Sequence, residues 1–189
     1  KFVWSKLMAN NIGTVEGLSS SGTGWGSGRS GDIRNMFFNT LKSKNVKRSV
    51  KISTFSLGND NEEVNEFFSL IEELLKSERD VEIIVNDYHK GSCSKHAKIT
   101  MREFKKRFPD RFHYYLFNSK SKNSLKKILH AKLVVVDRTT GLVGSANISK
   151  GALVSNYEIM LKISGDVVSK LSLMFDDLVE ILENEKHET

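Results

Sequence analysis

Four consecutive residues, Leu133-Val134-Val135-Val136, are apolar with no polar side chain among them. A strand wetted on one face alternates polar and apolar residues, so an unbroken apolar run calls for a strand covered on both faces. Helices must then lie on both sides of a sheet, which predicts an α/β fold: an α/β/α sandwich around a mixed β-sheet. The rest of the chain supplies the parts. A helix is expected from Ser30 or Asp32 to about Lys44, with Ile33, Met36, Phe37 and Leu41 on one face. A second is expected from an Asn59 or Asp60 cap to Ser77, striped by Val64, Phe67, Phe68, Ile71, Leu74 and Leu75. A short basic helix over Thr100–Phe108 is stopped by Pro109, and Asp166–Glu183 closes the chain with Val167, Leu171, Met174, Phe175, Leu178, Ile181 and Leu182 inward. Strands are expected at Val50–Leu57, Val81–Val85, Phe112–Phe117, Ala131–Asp137, Gly141–Val143 and Tyr157–Ile163. Eleven of the fifteen residues from Gly17 to Gly31 are Gly or Ser, so residues 1–31 read as an N-terminal segment ending in a loop or linker. Residues 32–189 then form a single domain.

Composition removes several classes. With 39% hydrophobic and 28% charged residues, the 189-residue chain has the make-up of a folded domain, not of a disordered one. No apolar run approaches the roughly 18 residues of a membrane span, so no stable membrane insertion is expected. Cys93 is the lone cysteine, which excludes an internal disulfide and reads as an inert loop thiol. That fits a reducing compartment and favours the cytoplasm; a removed signal peptide would instead place the protein in the periplasm or outside the cell. The first residue is Lys1, from which a tag, a signal peptide or another domain is expected upstream. The formal charge is +6, unevenly spread. Lys90–Lys132 carries 13 Lys and Arg against Glu103 and Asp110, whereas Asp166–Thr189 carries 7 acidic residues against Lys170 and Lys186. A segment this basic draws polyanions by releasing their condensed counterions. On charge alone, a solvated lysine-rich surface is an equal reading.

The basic segment runs into the stretch HAKLVVVDRTTGLVGSANIS, which starts at His130. His130 and Lys132 are two apart at the start of a strand and project from one face. Asp137 lies at odd offset from His130 and should not share it. A turn at Arg138-Thr139-Thr140-Gly141 returns the chain, bringing Gly144-Ser145-Ala146-Asn147 back beside His130. An imidazole, an ammonium, a hydroxyl and an amide then converge at one edge of the sheet. Such a cluster suits a phosphate: Lys132 and Asn147 stabilise its charge, and His130 attacks it or protonates its leaving group.

This stretch resembles the HKD signature of the phospholipase D superfamily: His-x-Lys, four residues, Asp, six residues, Gly-Ser-x-Asn. Every position is filled, by His130, Lys132, Asp137, Gly144, Ser145 and Asn147. Glu158, in Asn156-Tyr157-Glu158, fits the slot of an acidic residue that the family places soon after the Asn. The resemblance implies a phospholipase D-like fold, a covalent phosphohistidine, and chemistry without metal or other cofactor. It also implies that two such motifs face each other. This chain has one. His96-Ala97-Lys98 is a decoy, with Glu103 in the Asp slot and Asp110, Arg111, Phe112 and His113 where Gly-Ser-x-Asn should stand. The second histidine is therefore expected from a second copy, in a homodimer whose His130 residues line one cleft. Glu158 is expected to hydrogen-bond His130 and fix its tautomer, Ser145 to donate near the site, and Asp137 to brace the fold. His89, His113 and His187 sit outside any metal-ligand spacing.

The small one-motif members of the superfamily are similar to a bacterial nuclease branch. The basic segment favours nucleic acid, with DNA ahead of RNA, and a metal-independent endonuclease. Lys120, Lys122, Lys126 and Lys127, just before His130, and Lys105, Lys106 and Arg107 on the basic helix are expected to hold flanking phosphates. The alternatives are a phosphatidyl hydrolase at a membrane surface and the nuclease domain of a restriction or defence protein. A nucleic-acid-binding module with a dead site would lack His130, Lys132 or Asn147, and none is missing.

Overall fold

The computed structural model describes residues 12–21, 32–87, 92–117 and 128–187. Its strands are β1 (Thr14–Ser20), β2 (Ser49–Thr54), β3 (Asp80–Asn86), β4 (Phe112–Phe117), β5 (Leu133–Val136), β6 (Thr140–Gly144) and β7 (Ile159–Ser164). Its α-helices are α1 (Asp32–Leu41), α2 (Glu62–Lys76), α3 (Lys95–Arg107) and α4 (Asp166–His187). The strands form one sheet in the order β1-β7-β6-β5-β2-β3-β4. The apolar run of β5 therefore occupies the middle. β2, β3 and β4 are parallel, and β5 turns antiparallel against β2 and stays so through β6, β7 and β1.

Both faces of β5 are covered. Val134 and Val136 join the larger core with Ile52 and Ile83 from the sheet and Phe37, Phe67 and Met101 from α1, α2 and α3. On the other face of the sheet Ile84, Tyr115 and Phe117 pack with Leu129 and with Phe175 and Leu182 of α4, and Val135 of β5 is buried. One helix cannot cover seven strands. Met174 and Ile181 of α4, expected inward, are exposed, as are Leu173 and the β1 residues Val15 and Leu18.

Local capping corrects two boundaries and strand pairing a third. Asn61 caps α2, its side chain accepting from the Val64 N–H at 3.1 Å, so neither Asn59 nor Asp60 starts the helix. Ser94 caps α3 by accepting from Ala97 N–H at 3.0 Å, which starts that helix five residues before Thr100. The Gly/Ser-rich stretch is not all loop: Gly17–Ser20 belong to β1, paired antiparallel with β7. Leu18 is 67% exposed, so this edge strand carries no burial pattern for composition to reveal. Gly22–Gly31, with Trp25, lie outside the described residues. Among the described residues no helix is long and apolar enough to cross a membrane.

Candidate active site

Strand register assembles the site. β5 pairs with β2 so that Leu133 faces Ser53, which lays His130–Lys132 alongside the carboxyl end of β2. Ser53 Oγ fastens this stretch by donating to the Ala131 carbonyl at 3.1 Å. β6 returns with Val143 opposite Leu133, and β7 lies against β6 with Met160 opposite Gly144. Ser145, Asn147 and Glu158 are thus delivered to the same end of the sheet. Gly144 is required there by simple contact: a Cβ on it would lie 2.1 Å from the Ile159 carbonyl oxygen. The close approach lets Ser145 N–H donate to that oxygen at 3.0 Å.

His130 is exposed, and neither ring nitrogen bonds a described residue. Its ring centroid lies 5.2 Å from that of Phe55. Lys132 is 8% exposed; its Nζ donates to the His130 carbonyl at 2.8 Å and lies 5.5 Å from the centroid of the Phe55 ring. Burial lowers the pKa of this ammonium below the ordinary lysine value, and the nearby Glu158 charge opposes part of that shift. Asn147 Oδ1 accepts from Ser56 N–H at 3.1 Å, and the Thr54 hydroxyl lies 3.3 Å away. A backbone N–H can only donate, so the amide oxygen must face inward, which leaves the amide NH2, with its two donors, for the site.

Ser145 Oγ donates to a carboxylate oxygen of Glu158 and accepts from Ile159 N–H at 3.1 Å. Asn156 Nδ2 reaches the other Glu158 oxygen at 3.5 Å. The hydrogen bond expected from Glu158 to His130 is not formed within the chain, because the register of β7 on β6 delivers this carboxylate to Ser145. Asp137 lies at the opposite end of β5, where its carboxylate accepts the N–H groups of Lys47, Arg48 and Ser49 at 2.8, 2.7 and 2.9 Å. It ties the β5–β6 turn to the start of β2 and does not reach the other signature residues.

The basic helix is placed differently from the expectation. Leu57 bridges both Cys93 and Ile148, so the amino end of α3 sits at the His130 end of the sheet. Thirteen helical residues then carry Lys105, Lys106 and Arg107 about 20 Å away, to the opposite end. There Lys105 Nζ donates to the Pro109 carbonyl at 2.6 Å, and Arg107 pairs with Glu72 at 2.6 Å. These three do not gather around His130. The decoy lies nearer: Lys98 pairs with Asp87 at 2.6 Å, and the His96 ring packs edge-on to Phe68. Lys120, Lys122, Lys126, Lys127 and His89 lie outside the described residues. Cys93 is buried, and burial pushes its thiol pKa up to about 12. Among the described residues no three His, Cys, Asp or Glu side chains cluster in a way that could hold a metal ion.

Three contributors were missed by sequence reasoning: Thr54, Phe55 and Ser56. They look like the continuation of a strand, and only the pairing of β2 with β5 shows that they border the signature residues. Chemically, the arrangement offers an exposed imidazole beside an ammonium to which no carboxylate of the described residues is bonded, and an amide fixed as a donor. It can hold a tetrahedral oxyanion and present a nucleophile to it.

Comparison with known proteins agrees with this fold. The family model described as "Cardiolipin synthase, PLD-like domain" matches residues 40–179. Among solved structures, NucT from Helicobacter pylori superposes with a TM-score of 0.66 at 23% identity, over 87% of this chain and 96% of that one. Nuc from Salmonella typhimurium, a phospholipase D family member, gives 0.59 at 20% identity over 89% and 94%. Phosphatidylserine synthase from Haemophilus influenzae gives 0.60 at 17% identity, over 87% of this chain and 38% of that one. No curated protein sequence matches.

Proposed function

The chain belongs to the phospholipase D-like domain family, and on that premise we propose that it is a metal-independent phosphodiesterase that cuts nucleic acid as a homodimer. One observation supports this most: an exposed His130, whose ring nitrogens bond none of the described residues, stands beside Lys132 and an outward-turned Asn147 amide. A ring nitrogen of His130 attacks phosphorus, forming an N–P bond as the P–O bond to the leaving group breaks. Lys132 and Asn147 hold the non-bridging oxygens, supplying charge stabilisation that a metal provides elsewhere. His130 of a second copy, protonated, gives its proton to the leaving oxygen. It then takes a proton from the water that cleaves the N–P bond.

A second copy is supported by surface as well as chemistry. Met160 points into the larger core, so the alternate β7 residues Leu161 and Ile163 face the α4 side, as do their β1 partners Leu18 and Val15. Val15 and Leu18 are exposed there, as are Leu173, Met174 and Ile181 of α4, and exposed apolar side chains on this side of the sheet are what a second copy could cover. Nucleic acid is favoured by the charge of Lys90–Lys132 and by the exposed Lys95 and Lys150, which flank the site end.

The test is incubation with plasmid, single-stranded DNA, RNA and phosphatidylcholine vesicles in EDTA, beside His130→Ala. Cleavage of a nucleic acid that survives chelation and vanishes in the variant is expected. Cleavage of the vesicles alone would reassign the substrate to a phospholipid, and activity lost to EDTA and restored by magnesium would overturn the mechanism. Sedimentation under assay conditions should give a dimer, and an active monomer would remove the shared cleft.

A further inference from the structure

We infer that Phe55 is a positioning residue for this reaction, an aromatic wall that holds the Lys132 ammonium and the His130 imidazole without neutralising either; the role in catalysis rests on the function proposed above. Phe55 is the first residue beyond β2, and its ring is half-buried. It touches two groups that the site needs in register: the His130 ring at 5.2 Å, tilted by 57°, and Lys132 Nζ at 5.5 Å from its centroid. The residues on either side of it hold the third, since Ser56 N–H and the Thr54 hydroxyl fix the Asn147 amide. One tripeptide therefore borders all three candidate groups.

The choice of an aromatic residue has a physical reason. Lys132 is buried, and among the described residues it forms one hydrogen bond, to the His130 carbonyl, and pairs with no carboxylate within 4.0 Å. A carboxylate in Phe55's place would hold the ammonium firmly but would cancel the charge that a phosphate must feel. The face of a ring attracts the cation through its quadrupole and leaves the net charge intact. The same ring packs against the His130 ring, whose nitrogens bond none of the described residues. A leucine would fill the space but would supply neither effect.

The experiment compares wild type with Phe55→Leu, Phe55→Tyr and Phe55→Trp, with bis(p-nitrophenyl) phosphate as substrate. Phe55→Leu should lower kcat by about tenfold while KM changes by less than about twofold, and both aromatic variants should restore kcat to within about threefold. A purely structural role would instead lower stability while leaving the rate per folded molecule unchanged, and that result would overturn the proposal. A second readout needs no activity. In the wild-type chain, NMR should show contacts from the Phe55 ring to the Lys132 ε-methylene and the His130 ring, with the lysine protons shielded by the aromatic face. Phe55→Leu should abolish that shielding. If the wild type cleaves no phosphodiester, the function above fails on its own; missing ring contacts would sink the role of Phe55 whether or not cleavage occurs.

Discussion

The two ends of the β5–β6 hairpin are built in opposite ways. At the turn, Asp137 is buried and its carboxylate accepts three backbone N–H groups from Lys47–Ser49. Asp137 and Arg138 take φ of 52° and 60°, and Thr139 N–H closes the turn on the Val136 carbonyl at 3.0 Å. At the open end, the His130 ring nitrogens bond nothing among the described residues, Lys132 makes one hydrogen bond, and Asn147 is held by its oxygen alone. The same short signature thus contains polar groups consumed by the fold and polar groups left for a ligand. Buried polar groups are costly unless paired, so saturation marks Asp137 as a brace. Incomplete pairing among the described residues leaves His130, Lys132 and Asn147 with polar groups available to a ligand, as the proposed function requires.

That contrast can be broken by substitution. His130→Ala should reduce phosphodiester cleavage by a factor on the order of 10⁴ or more while shifting Tm by about 2 °C at most, because the side chain is exposed; comparable loss of fold and activity would erase the distinction. Asn147→Asp keeps the inward oxygen but turns a second oxygen outward in place of the donor, and should cost about 10²–10³ in kcat with an unchanged circular dichroism spectrum. The pH profile sharpens the same point. Lys132 must be charged to act, and burial places its pKa below the ordinary 10.5. Activity should therefore fall as pH rises, on an alkaline limb that begins below 10.5. A plateau that extends to higher pH would mean that the ammonium is not required. At the other end, Asp137→Ala should destabilise the chain by about 3 kcal/mol by orphaning three N–H groups. The rate per folded molecule should stay within about twofold, so a selective loss of kcat would move Asp137 into the site.

Much of the fold is written in local pattern. The run Leu133–Val136 gave the covered central strand, and the apolar stripe of α2 is buried as its spacing requires. What pattern could not supply was pairing between distant strands. β1 has a Gly- and Ser-rich sequence and becomes a strand only by bonding to β7. Phe55 borders His130 only because Ser53 pairs with Leu133, a register that neither segment contains alone. Glu158 meets Ser145 instead of His130 for the same reason. Lys105, Lys106 and Arg107 were drawn to the site by charge, but the length of α3 carries them to the far end. The candidate site was legible where one contiguous stretch builds it, and illegible where the sheet folds other segments against it.

The proposed reaction passes through a covalent intermediate at one nitrogen. The direct test is to quench the chain during turnover of a phosphodiester substrate in EDTA, at alkaline pH where phosphohistidine survives, and to map the adduct by mass spectrometry. A phosphoryl adduct on the peptide containing His130, absent from His130→Ala, is the expected result. Turnover with no adduct there, or with the adduct on another residue, would contradict it.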